Sequence, residues 1–351
     1  MNKLTKVGCS ALCGSLAAIS AANAGELTVT GGADLTWASL GGLTTGNPVG
    51  MGSNFTLNGA GELDNGWTFD LDIATTNAGA YSATTIGIGM GGLGSLSIDQ
   101  GSSANGIDAF DDKMPTAWEE VWGAGLTTGH RAIVAGVGTS QNIQYSSPKF
   151  AGNTFFTIAV APDMGTTDTS DKGTGGVVSA GQGRGIDVVV NMNPSMGTEI
   201  LSGLNLFVGG HQTFIENSNT TLESDVYEGV AGITYDLGPI SLGMQVSGEY
   251  TGEENTADYN TYKNTAFGIA FNINDDLSVS YGSMESGKVG YNGSNAQSGT
   301  PATRIVKSDS VQAAYTMGGA SIRVADVNVT NQTFADGANY SATIVSMGLA
   351  F

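Results

Sequence analysis

Cysteine is confined to the start of the chain, at Cys9 and Cys13. Beyond them no disulfide can staple the fold, and no thiolate can act as nucleophile or soft metal ligand. Histidine is as scarce, with His130 and His211 the two in 351 residues. Imidazole acid–base chemistry needs a partner in hydrogen-bond reach, and no spacing around either histidine supplies one. Phosphate-cradling glycine loops, zinc-ligand spacings and EF-hand loops are absent too. After residue 24 no apolar run is long enough to cross a membrane as a helix. Positive charge is the other shortage, 12 Lys and Arg against 32 Asp and Glu. That imbalance disfavours nucleic acid and anionic membrane surfaces as partners. Proline numbers 7 against 54 glycines, and the mean hydropathy is near zero.

What is present begins with a leader pattern. Met1 to Lys6 is basic, Val7 to Ala22 is small and apolar but too short to span a bilayer, and Ala22-Asn23-Ala24 is a small-x-small cleavage site. This reads as a secretory signal over residues 1–24, cut after Ala24 and followed by one domain over 25–351. A lipid-attachment signal is the competing form, but the residues ahead of Cys9 (Lys6, Val7, Gly8) and Cys13 (Leu12) do not suit it. Loss of Lys3 and Lys6 takes the net charge from −20 to −22.

Apolar and polar residues then alternate with period two, as strands with two different faces require. Leu27, Val29, Gly31, Ala33, Leu35 and Trp37 oppose Glu26, Thr28, Thr30, Asp34 and Thr36. Ile240, Leu242, Met244 and Val246 oppose Ser241, Gly243, Gln245, Ser247 and Glu249, and Phe267, Ile269 and Phe271 oppose Ala266, Gly268 and Ala270. The chain ends on Val345, Met347, Leu349 and Phe351 against Ser346, Gly348 and Ala350. In Ser321 to Thr330 the apolar parity switches between Val324 and Val327, which predicts a β-bulge. The polar faces mix small residues with Glu62, Asp70, Asp72, Asp99, Asp187, Glu228, Asp236 and Glu249, and carry hardly any lysine. Such faces suit a water-filled interior better than a surface in bulk water.

Short turns at 64–66, 91–94, 148–153, 193–198, 237–240, 274–276 and 317–319 alternate with longer polar connections near 40–52, 77–82, 101–130, 163–183, 216–225, 252–262, 286–307 and 332–338. Seven short and eight long connections make sixteen antiparallel strands, with both chain ends on the short-turn rim. The fold class is therefore all-β, a 16-stranded antiparallel transmembrane β-barrel of the bacterial outer-membrane kind. Two rivals come from other classes. A secreted or surface-exposed adhesin or structural β protein would share the Gly, Thr and Asn richness, but not the terminal aromatic or the asymmetric connections. A barrel enzyme, protease or lipase, would need a catalytic constellation that two histidines and many undistinguished serines do not announce.

Gln100 to His130 alone lacks strand rhythm. Its core, Gly106 to Trp122, carries Asp108, Asp111, Asp112, Glu119 and Glu120 with one cation, Lys113, and apolar surface from Ile107, Phe110, Trp118, Val121 and Trp122. Loops of this length are usually functional or disordered, and the apolar residues here need a surface to dock on. Pro115 just ahead of two tryptophans four apart predicts a helical turn. Asp108, Asp111 and Asp112, or Asp163, Asp168 and Asp171, are oxygen donors of the kind that hold Ca²⁺, against the plainer reading of solvated acids.

The segment Asn142 to Gly152, NIQYSSPKFAG, resembles a Tyr-x-Ser-Pro-x-Phe-x-Gly hairpin of the general bacterial porins, found in the strands after their third loop. The terminal Phe351, the leader, the strand number and the long loop after the fifth strand are similar to theirs as well. The resemblance implies passive diffusion of ions and small hydrophilic solutes, with no cofactor and no chemistry. It implies the outer membrane of a Gram-negative cell, contact with outer-membrane lipid, and a homotrimer. Gln100 to His130 would be the loop that folds into the lumen. Asp108, Asp111, Asp112, Lys113, Glu119 and Glu120 would then line the constriction, with Ile107, Phe110, Trp118 and Trp122 anchoring it. Arg131 matches the family's basic residue after the loop, Arg323 faces inward by parity, and Phe351 ends the strand that closes the barrel. One departure stands out: Gly25 through Asp112 holds no Lys or Arg, where the family places arginines opposite the loop. With the excess of acids, that implies a preference for cations.

Overall fold

The computed structural model describes residues 25–43, 46–77, 83–102, 105–131, 134–165, 182–194, 201–215, 224–252, 259–292, 296–297 and 305–351. The alternating segments form strands β1 (Glu26–Gly41), β2 (Val49–Glu62), β3 (Thr68–Thr76), β4 (Ala83–Gly89), β5 (Ser95–Gln100), β6 (Gln141–Ser146), β7 (Phe155–Ala161), β8 (Gln182–Met192) and β9 (Leu204–Ile215). They continue as β10 (Val226–Leu237), β11 (Ile240–Tyr250), β12 (Tyr259–Asn272), β13 (Leu277–Asn292), β14 (Ala296–Gln297), β15 (Ile305–Met317), β16 (Ala320–Thr330) and β17 (Tyr340–Ala350). β14 is a two-residue piece paired with the tip of β13, which itself pairs with β15, so sixteen strands build the wall. Each wall strand is antiparallel to its sequence neighbour, and β17 returns to β1.

Closure follows from lipid chemistry, because an unpaired strand edge in a bilayer leaves backbone groups that each cost several kcal/mol. Gly32 stands opposite Ala350 and Gly41 opposite Ser341. Phe351 completes the last rung, its N–H donating to Gly31 O at 2.9 Å and its carbonyl accepting from Gly31 N at 3.3 Å. Outward residues such as Trp37, Met244, Phe267 and Met347 are exposed to the surroundings. A contiguous apolar exterior of this extent is a lipid face rather than a water face.

The connections between wall strands alternate in length as the sequence spacing does, with tight turns such as 238–239 and 318–319 on one rim and long segments on the other. The wall is lowest at β4 to β7, strands of 7, 6, 6 and 7 residues. The Tyr145 to Gly152 motif is the β6–β7 hairpin. Phe150 and Thr154 exchange backbone bonds of 2.9 and 3.0 Å, and Ala151 and Gly152 turn through positive φ.

The bulge expected in 321–330 does not exist. β16 keeps continuous register with both β15 and β17, and among the described residues the register shifts are at Tyr259/Thr261 and Gln182/Gly185 instead. The parity of apolar residues switches because the inner wall becomes apolar there. Ala325, Val327 and Val329 face inward at 0 to 1 % exposure, while Asp326 and Asn328 face out.

Candidate functional site

Residues 105–131 and 134–140 run across the inner wall, and the contacts begin with a 3-10 turn over Gly106–Phe110. Ile107 is fully buried against β9 at Gly209, where a Cβ would lie 2.7 Å from its Cγ2. Phe110 stacks on Phe207 of β9, ring centroids 4.5 Å apart and planes 12° from parallel. Met114 and Pro115 then lie directly on the backbone of β12, where a Cβ at Gly268 would come 2.6 Å from Pro115 O. Val121, Ala124 and Leu126 continue the buried seam, with Trp118 and Trp122 packed against it at partial burial. Each fully buried aliphatic or phenyl side chain contributes about 1.5–3 kcal/mol, so the seam holds the loop to the wall.

No helix forms after Pro115, and the one i→i+3 turn of this stretch comes late, Gly123 N donating to Glu120 O at 2.9 Å. Backbone N–H groups of the stretch are taken by the wall instead, among them Glu119 N, which would close the first turn onto Pro115 O. Ala117 N donates to Ser280 Oγ at 2.8 Å and Glu119 N to Gln312 Oε1 at 3.0 Å, while Gln312 Nε2 donates back to Glu119 O at 2.6 Å. Satisfying those donors in trans removes the advantage of the helix. The last long connection braces the far leg, Gln332 Nε2 donating to Thr127 O and Thr333 N to Thr128 O at 3.4 Å.

The acids divide into two groups. Asp112 and Lys113 are exposed, and Asp111, Glu119 and Glu120 are partly buried. Asp108 is not a lumen residue: it is 4 % exposed and packed against Gly138, because the 3-10 turn points it at the returning leg. Burial, then the charge of Asp112, pushes Asp111 up to about 6 and Glu120 up to about 8. The same two causes raise Glu119. Among the described residues no group of three or more His, Cys, Asp or Glu is gathered together, so Asp108, Asp111 and Asp112 do not form one cluster. Of the other set, Asp168 and Asp171 lie outside the described residues.

The cations near this loop are already engaged. Arg131 contacts Glu249 of β11 through Nε at 3.2 Å and lies 5.5 Å from the Tyr262 ring centre. Arg323 of β16 pairs with Asp34 of β1 beneath Trp118, 5.3 Å from its ring centre. His130 donates to or accepts from Ser308 at 2.6 Å, and burial lowers it to about 4, so it is neutral at pH 7. Arg184 faces outward on Phe214, and Arg304 lies outside the described residues. Sequence reasoning found the anchors Ile107, Phe110, Trp118 and Trp122 but missed Met114, Leu126 and the wall partners Ser280 and Gln312. The glycines at 209 and 268, small residues on inward faces, were the available signal.

A closed barrel with an apolar exterior, a polar interior and a loop held across that interior is a channel of the outer membrane. The sequence model of Gram-negative porins matches residues 8–300, and the chain belongs to that family. Among curated proteins none matches it. Solved structures similar in fold include Salmonella typhi OmpF in complex with daunomycin, 13 % identical with a TM-score of 0.61 over 93 % of this chain and 98 % of that one. Vibrio cholerae OmpT in its trimer form is 11 % identical, TM-score 0.58, over 93 % and 100 %. Pseudomonas putida OprB is 9 % identical, TM-score 0.56, over 93 % and 94 %.

Proposed function

We propose that this porin passes ions and small hydrophilic solutes by passive diffusion, that it prefers cations, and that it catalyses nothing. The observation that carries the cation preference is the charge pairing in the lumen. Arg131 is matched by Glu249 and Arg323 by Asp34, while Asp111, Asp112, Glu119 and Glu120 share their stretch of the loop with one cation, Lys113. Asp187, His211 and Thr213 form a hydrogen-bonded chain like that of a nucleophile and its base, yet are 0, 4 and 3 % exposed. A hydroxyl that no substrate can reach is not a nucleophile, which supports a non-enzymatic channel.

The low wall supports a homotrimer. A six-residue strand is about 20 Å long and, tilted, spans less than the apolar band of about 25 Å that a barrel presents to lipid. A second copy against β4 to β7 would cover Ile86, Ile143 and Ile158, which are outward and exposed. Vibrio cholerae OmpT, similar in fold, has been solved in a trimer form. Export would follow cleavage after Ala24, releasing residues 25–351 as one barrel domain in contact with outer-membrane lipid. Liposome swelling with neutral sugars of graded size, together with reversal potentials across a KCl gradient, tests the reading. Size-dependent swelling and a K⁺-selective potential are expected; impermeable liposomes, or a Cl⁻-selective potential, would overturn the diffusion and cation readings respectively.

A further inference from the structure

Three adjacent strands set ionisable side chains opposite one another on the inner wall. Asp187 of β8 is paired with His211 of β9, and His211 with Glu228 of β10. The loop binds the two carboxylates. Asp187 Oδ2 accepts from Ile107 N of the entering leg at 2.8 Å and from Val137 N of the returning leg at 3.3 Å. Glu228 Oε2 accepts from Ala135 N at 2.9 Å and Gly136 N at 3.4 Å. Gly106 and Gly136 make the approach feasible, since each has positive φ and a Cβ on either would strike the Asp187 carboxylate.

His211 stands behind this clasp rather than in it. Its Nδ1 is 2.5 Å from Asp187 Oδ1 and its Nε2 is 2.7 Å from Thr213 Oγ1, two residues along the same inward face. Asp187 Oδ2 therefore grips both loop legs, while Oδ1 is shared between His211 and Val137 N at 3.3 Å, and threonine fixes the ring. Without the imidazole, buried Asp187 Oδ1 would keep only the 3.3 Å contact from Val137 N, a costly state for a carboxylate oxygen. The carboxylate would then turn toward other donors and lose its aim at Ile107 and Val137.

We infer that His211 is a positioning residue of the channel: acting through Asp187, it fixes both legs of the inward loop and so sets the steadiness and width of the passage. The inference rests on the reading of this barrel as a conducting porin. Single-channel recording at constant pH tests it with His211→Ala, with His211→Asn, whose amide can donate from near the Nδ1 position, and with Thr213→Val. A barrel with unchanged heat-modifiable gel migration is expected for each. His211→Ala should raise open-channel current noise at least twofold, Thr213→Val should raise it less, and His211→Asn should stay near wild type. Cysteine is absent after residue 24, so Ile107→Cys with Gly209→Cys offers a specific disulfide between loop and wall. Oxidising that pair in the His211→Ala background should restore the quiet channel, and reducing it should restore the noise. If His211→Ala does not insert, Thr213→Val carries the same comparison. A wild-type noise level in His211→Ala, or in Thr213→Val when only that variant inserts, overturns the inference. So does noise that the oxidised pair leaves unchanged. A wild type that conducts nothing refutes the porin reading instead.

Discussion

Raising the pH from 5 to 9 should strengthen the preference for K⁺ over Cl⁻, in two steps. Burial and the charge of Asp112 hold Asp111 at about 6 and Glu120 at about 8. Each is neutral below its value and negative above it, so the climb adds two negative charges to the loop. One charge about 10 Å from a passing ion is worth about 0.4 kcal/mol at the dielectric of water, attractive for K⁺ and repulsive for Cl⁻. The difference is about 0.8 kcal/mol per charge unscreened, and about 0.3 kcal/mol when attenuated over a screening length of about 10 Å at 0.1 M salt. Two charges then change the permeability ratio about two- to threefold. The assay is the reversal potential across a KCl gradient at a series of pH values. Glu120→Gln should remove the upper step and Asp111→Asn the lower one, and both steps should fade at about 1 M salt, where screening acts within about 3 Å. A ratio flat between pH 5 and 9 in the wild type, or one that falls, would refute the electrostatic reasoning. The same raised values carry a linkage consequence. The folded loop binds these protons more tightly than the unfolded chain does, so the loop's stability declines as pH rises from the ordinary carboxylate range toward 8.

Phe207→Ala removes the ring beneath Phe110 and should weaken loop docking by about 3 kcal/mol, the usual cost of deleting a buried phenyl group. The barrel should still migrate as a folded species, while protease nicks the chain between 111 and 131; a loop that resists as in wild type would contradict the anchoring role. Deleting Met347 to Phe351 takes away the rungs opposite Gly31 to Leu35 and should abolish stable insertion, checked by the amount of heat-modifiable protein in the outer membrane. N-terminal sequencing of the membrane-purified protein should begin at Gly25; a start at Met1 or a lipid-modified cysteine would overturn the leader assignment.

The wall was legible because a barrel strand answers to two solvents, lipid and water, and writes both into a period of two. Trp37 and Leu35 against Asp34 and Thr36 show both faces of β1. The loop was legible as an interruption, and its anchors Ile107 and Phe110 as apolar residues with no strand to belong to. What failed was inference from composition alone. Asp108 counts as an acid in sequence, but the 3-10 turn buries it, and no local pattern tells a lumen carboxylate from one held against backbone. Asp187 and Glu228 were placed on the polar face, yet their oxygens serve loop N–H groups far away in sequence, at Ile107, Ala135 and Val137. The same long-range docking made the apolar inner face of β16 look like a bulge, and gave the N–H groups after Pro115 partners that forestall a helix. Contacts between distant segments leave a trace mainly in the glycines that permit them.

The central claim is that a loop held to the inner wall narrows a water-filled barrel. Planar-bilayer recording tests it most directly, with the wild type compared to a variant in which Ile107→Ala, Phe110→Ala and Val121→Ala free the loop from its seam. The account predicts discrete steps that scale with bulk salt conductivity for the wild type, and a different, noisier conductance for the variant, with barrel migration unchanged. A wild type that inserts without conducting, or a variant with the same conductance and noise as wild type, would contradict it.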